Sequence, residues 1–320
     1  MKKSQYTQII AILITIILVV ILFTQISLND IITTLISINP IFLLAAFILY
    51  TGSYFLRAWR FHILLNEEIG IKDLFYIECV HNMMNNLLPA RTGELSYVYL
   101  LKKMNNRTTG EGLATLVVAR IFDFFGLAIL FFMAILMIND IPGIIRNALW
   151  LIALFTIVLL IILVVLLYTG RTFVTSLKKT AERFHAEKNR LVNYTLRKSF
   201  DTVDSLEKIQ IKKQGSFLLV LSIFIWGLNY LMVYLIITGM NLQLPFLIII
   251  LGGTFILLTT VLPVQGIGGF GTTETIWTLV FVPLGVSLDA AIISAFCYHI
   301  ISIVFYGAIG IYGYIKLKSR

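Results

Sequence analysis

The residues able to do chemistry in this chain are few, and almost all of them interrupt hydrocarbon. Glu78, His81, Asn82 and Asn85 follow i, i+3, i+4, i+7 spacing, which puts them on one face of a helix. Asn86, Pro89, Arg91 and Glu94 follow within the stretch NNLLPARTGE. Arg120 and Asp123 are three apart, the spacing of an intrahelical ion pair. A second broken stretch, TTVLPVQGIGGFGTTE, carries Gly266, Gly268, Gly269, Gly271 and Glu274, and His299 lies in the last apolar segment. Glutamate three residues or fewer beyond a threonine or glycine suits the first turn of a helix, where the dipole favours negative charge. Bare glycine amides before such a turn also suit a phosphate or other anion. An arginine at membrane depth costs about 2.5–3.5 kcal/mol even on the lenient insertion scale, so Arg91 needs a partner or a ligand.

These groups form no nucleophile–base triad, no Walker loop and no metal-spaced cluster, so no catalytic residue, metal or cofactor is assigned. Gly266 to Gly271 spells G-x-G-x-x-G, but nucleotide binding by that pattern requires a preceding strand, and here the flanks are transmembrane in character. The only cysteines, Cys79 and Cys297, sit in apolar segments and read as packing residues.

The elements that must position these groups are membrane helices. Of 320 residues, 59% are hydrophobic and 13% charged, whereas soluble domains average roughly 25% charged. Full spans are expected at about 8–26, 41–64, 112–138, 148–168, 217–239 and 289–315. The net charge of +9 is concentrated in loops, with eleven Lys/Arg against five acids between 171 and 213. That is the positive-inside pattern, not a nucleic-acid surface. It places both termini in the cytoplasm and Arg57, Arg60, His62 and Trp59 near the inner end of the second span. Apolar residues interleaved with charge across 171–213 indicate one or two amphipathic helices on the inner surface. Gly307, Gly310 and Gly313 indicate close helix packing.

Two segments, 74–103 and 246–284, are each cut by proline into halves too short to cross. They read as re-entrant hairpins entering from opposite faces, each followed by a full span. That layout is an inverted repeat, in which broken helices meet near the membrane centre. The expected fold is an all-α polytopic membrane protein, one domain over 1–320, with about six full helices and two re-entrant hairpins.

At the two tips the chain resembles the lysylphosphatidylglycerol synthase transmembrane, or flippase-like, family. The resemblance is carried by Asn85 to Glu94, by Arg120-x-x-Asp123, and by Pro263 through Gly271 to Glu274. Where the family pattern reads Glu-Arg, this chain has Ala119-Arg120. The resemblance implies a domain moving lipids or lipid-linked sugars between leaflets, without the soluble aminoacyl-phospholipid synthase. The expected substrate is a phospholipid or lipid-linked anion in a polar cavity of a prokaryotic plasma membrane, with Arg91 and the Gly-rich loop on its phosphate. Its partners are membrane lipids, with a separate lipid-modifying synthase and a second copy of the chain as further candidates. The competing readings are an enzyme or enzyme subunit acting on polyprenyl-phosphate sugars, and a non-transporting scaffold for a synthase.

Overall fold

The computed structural model describes residues 15–88, 93–138, 143–184, 189–209, 211–259 and 267–319. The described residues are helical or in short connections, with no strand among them. The all-helical expectation holds. Four helices are long and apolar enough to cross a membrane, and up to six if each bent pair is one span.

Helix α1 (Thr15–Phe23) turns by 82° into α2 (Leu28–Ser37). The sequence reading took 8–26 as one straight span. The helix instead stops at Phe23, and a capping box restarts the chain: Ser27 Oγ accepts from the Asp30 amide at 3.3 Å, and Asp30 Oδ2 accepts from the Ser27 amide at 2.8 Å. Such a cap stabilises a helix start by about 1 kcal/mol. Helix α3 (Pro40–Leu64) opens on a proline whose missing N–H costs nothing at the first helical position, with Asn39 Oδ1 accepting from the Ile41 amide at 2.9 Å.

The first hairpin consists of α4 (Ile71–Leu87) and α5 (Glu94–Asn105). At 1.5 Å per residue they are only about 25 and 18 Å long, short of a hydrocarbon core of about 30 Å. Gly93 permits the reversal: a Cβ there would come within 2.3 Å of the Met84 backbone carbonyl. Helix α6 (Thr109–Met137) follows, started by a second capping box between Thr108 and Glu111. Helix α7 (Gly143–Arg183) is longer than the expected span and bends by 72° between Val165 and Tyr168. Its end and α8 (Arg190–Lys208) carry the basic residues of 171–208, tied by Arg171 to Glu207 at 2.7 Å. The bundle continues with α9 (Ile211–Gly239), the hairpin α10 (Phe246–Thr259) and α11 (Thr272–Phe281), and α12 (Leu288–Lys318). A short 3₁₀ turn, Ile267–Gly269, precedes α11.

The packing repeats itself. Helices α3 to α6 and α9 to α12 each comprise a long helix, a hairpin and a long helix. The two leading helices α3 and α9 pack together, and each hairpin's first helix packs on the other half's closing helix, α4 on α12 and α10 on α6. Exchanging the two sets maps each of these contacts onto another. Glycines allow the closest approaches: a Cβ on Gly310 or Gly313 of α12 would fall 2.4 Å from Met83 or 2.7 Å from Cys79 of α4. Gly307 faces open space and has no such role.

Candidate functional site

A polar cavity of about 330 Å³ lies where the two halves meet. Helix α3 contributes Tyr50, Tyr54 and Arg57, α4 contributes Asn82, Asn85 and Asn86, and α6 contributes Arg120 and Asp123. From the other half come Trp226 and Asn229 of α9, Gly268 and Gly269 of the 3₁₀ turn, and Tyr298, His299 and Tyr306 of α12.

Asp123 is the hub of its charged wall. Its carboxylate accepts from Arg60 Nη1 at 2.6 Å and Nη2 at 3.3 Å, from Trp226 Nε1 at 3.0 Å, and from Arg120 Nη1 at 3.4 Å. Arg60, only 1% exposed, also donates to Ser222 Oγ at 2.8 Å. Four donors from three side chains fix this carboxylate in one geometry. Arg120 donates in addition to Glu94 Oε1 at 2.9 Å. The acidic partner lacking at Ala119 is therefore supplied from across the fold, by Glu94 in the first turn of α5.

The second hairpin ends in the corresponding device. Glu274, fully buried, accepts from the Gly271 amide at 2.7 Å, so it fills the helix start itself. Its other oxygen lies 2.5 Å from His299 Nδ1, and His299 Nε2 donates to the Gly268 carbonyl at 3.0 Å. With Nε2 donating to that carbonyl, Nδ1 is turned to the carboxylate, so the imidazole is held between Glu274 and Gly268. Phe270 stacks on the imidazole at 4.4 Å between centroids. Gly268, Gly269 and Gly271 have φ of +60°, +82° and +77°, backbone that a side chain resists. At Gly269 a Cβ would also lie 2.8 Å from Thr273 Oγ1 and 3.5 Å from the His299 ring. In both hairpins, then, a glutamate in the first turn of the second helix binds a cationic or proton-bearing side chain on the long helix that follows.

Most residues singled out in the sequence fall into four groups. Asn82, Asn85, Asn86, Arg120, Asp123, Gly268 and Gly269 line the cavity. Glu94 and Glu274 support its walls through Arg120 and His299. Glu78 and His81 are buried away from the lining: Glu78 Oε1 accepts from Asn82 Nδ2 at 3.1 Å, and His81 packs edge-on against Tyr97 with Nδ1 3.4 Å from Ser96 Oγ. The four-residue polar stripe thus splits, its asparagines facing the cavity and its titratable groups facing neighbouring helices. Arg91 and Gly266 lie outside the described residues, as do Pro89, Thr92 and Pro263.

Sequence reasoning missed Arg57 and Arg60, which it assigned to the inner interface. They are core residues of the site. The pairing of two arginines one turn apart with an i, i+3 Arg–Asp elsewhere was the available signal. Trp226 was missed altogether.

A family model described as "Lysylphosphatidylglycerol synthase TM region" matches residues 8–310. The chain belongs to this family. It is a multi-pass membrane protein of the family that forms the membrane region of a lipid synthase, and is linked to lipid metabolism or transport. No curated protein and no solved structure matches the chain. Within the family match fall both hairpins, the Glu94–Arg120–Asp123–Arg60 network and the Glu274–His299 pair.

Proposed function

We propose that the protein moves a phospholipid or other lipid-linked anion between leaflets, with the headgroup passing through the polar cavity while the acyl chains stay in the bilayer. The observation carrying this reading is that asparagines of α4, the glycines before α11 and the membrane-embedded Arg57, Arg120 and Asp123 line one cavity walled by both halves of the bundle. A site built at a repeat interface from broken helices is the arrangement of alternating-access carriers, and here the halves enter as an inverted pair. Among the described residues lining the cavity, no hydroxyl or thiol is hydrogen-bonded to a histidine or carboxylate, so the enzyme acting on polyprenyl-phosphate sugars stays the second reading. The basic side of α7 and α8 lies in the cytoplasm of a prokaryotic cell, against the anionic inner leaflet of its plasma membrane, together with both chain termini.

The test is the purified protein in vesicles carrying fluorescent phospholipid on one leaflet. Leaflet exchange above that of empty vesicles is the expected result. Chemical conversion of the lipid would point to the enzyme, and neither outcome would leave a scaffold for a separate synthase.

A further inference from the structure

Three guanidinium groups converge on the charged wall of the cavity, and two of them have carboxylate partners, each leaving only Nε unpartnered. Arg60 is held by both oxygens of Asp123 and by Ser222. Arg120 is divided between Glu94 and Asp123. The third, Arg57, lies one turn before Arg60 on α3, is 9% exposed and lines the cavity. Among the described residues it makes no hydrogen bond and no ion pair, and its buried Nε has no partner. Its one specific contact is with the Trp226 ring, whose centroid lies 5.4 Å from the guanidinium carbon.

That contact does not balance the cation. A cation–π contact, even desolvated, recovers only part of what removing an ion from water costs. The carboxylates cannot supply the difference by direct contact. Asp123 already serves two arginines and the Trp226 indole, Glu94 is bound to Arg120, and Glu78, which acts on Arg57 through space, stands outside the cavity lining. Glu78 and Asp123 act on Arg57 only through space, so its N–H donors remain unfilled beside the cavity, where an entering acceptor can reach them. Trp226 fixes the orientation of both residues, because the same indole that lies against Arg57 donates to Asp123. Across the cavity, Tyr306 presents a hydroxyl that is likewise unpartnered among the described residues.

We infer that Arg57 is the receptor for a phosphate oxyanion, with Trp226 as its platform. Its fork of N–H donors matches two phosphate oxygens, which a point charge would not. The Gly271 amide at the start of α11 is closed to the same ligand, since Glu274 already occupies it. The source of the phosphate rests on the translocation reading: inside a bilayer it is the phosphodiester of a lipid. The oxyanion site itself does not depend on that reading.

Thermal unfolding of the full chain in neutral detergent tests it, with phosphatidylglycerol, diacylglycerol or inorganic phosphate added. A ligand that binds the native state raises its apparent stability. Phosphatidylglycerol should raise Tm by several degrees and diacylglycerol should not. Arg57→Gln should lose the shift, and Arg57→Lys should keep part of it. A full shift in Arg57→Gln overturns the proposal. If Arg57→Gln does not fold, Glu78→Gln decides the matter: unchanged basal Tm with an intact phosphatidylglycerol shift supports the receptor. A collapse in Glu78→Gln instead makes Arg57 a strut for that carboxylate and overturns the proposal. An Arg57-dependent shift with inorganic phosphate alone supports the oxyanion site and assigns it to free phosphate. Exchange is read separately. An Arg57-dependent lipid shift in a protein that exchanges no lipid refutes translocation and leaves the site standing. Wild-type exchange by Arg57→Gln, despite a lost shift, separates the site from translocation.

Discussion

Replacing Asp123 by asparagine should be the most damaging single-atom change in the protein. The substitution keeps the shape and one acceptor, which can still serve Trp226 Nε1 at 3.0 Å or Arg60 Nη1 at 2.6 Å but cannot balance charge. It leaves Arg60, 1% exposed, without its carboxylate and Arg120 with Glu94 alone. Breaking a buried ion pair by removing one partner costs about 3–5 kcal/mol, because the other charge stays buried and uncompensated. The lower end applies if Ser222 and the amide oxygen retain the Arg60 geometry, the upper end if Arg60 is expelled. Neutralising both partners, as in Arg60→Gln with Asp123→Asn, removes the stranded charge and should recover at least half of the loss. The coupling is measured with a double-mutant cycle of equilibrium unfolding in detergent. A cost for Asp123→Asn below about 1 kcal/mol, or strict additivity of the two substitutions, would refute the argument that this network is charge-balanced through Asp123.

Glu274→Gln keeps an oxygen for the Gly271 amide but removes the carboxylate that faces His299 Nδ1. Leaflet exchange should fall at least tenfold in folded protein, and an exchange rate near wild type would reduce Glu274 to a helix cap worth about 0.3–1 kcal/mol. For topology, single cysteines at Lys72 and Lys103, in a background with Cys79 and Cys297 replaced, should both label from the cytoplasm. Cysteines at Gln243 and Ser287 should both label from outside, and opposite labelling within either pair would rule out that re-entrant hairpin.

The helical class and both hairpins were legible because they rest on length and on proline, which act locally. The short halves on either side of Pro89 and Pro263 could not be spans whatever their neighbours did. The bend after α1 was legible in principle, since Ser27-x-x-Asp30 is a capping signature, but the apolar run around it masked the stop. The site was legible only where a charge sat inside an apolar segment, as with Arg120, Asp123 and Glu274. Arg57 and Arg60 looked like interfacial residues because a linear count sees two arginines near a span's end, and lies blind to Asp123 waiting 63 positions later. Glu78 and His81 erred the other way. A polar stripe shows that a helix face is not lipid-facing, but whether it meets water or another helix is decided by partners such as Tyr97.

The bonds gathered at Asp123 join three helices from different parts of the chain: α6 itself, α3 through Arg60, and α9 through Trp226 and by way of Ser222. Where α6 crosses α9, a Cβ on Gly126 would lie 3.0 Å from the Ser222 backbone, so the same level is also closed sterically. Sliding any of these helices past the others by one turn would strand a buried arginine. Mechanically they form a stator. Each hairpin, by contrast, is fastened to this frame or to α12 near its tip by a glutamate, through Glu94–Arg120 on one side and Glu274–His299 on the other. On the translocation reading, two latches on a fixed frame divide the work of access: a hairpin that swings from the frame must undo its latch, and the frame itself can stay in place.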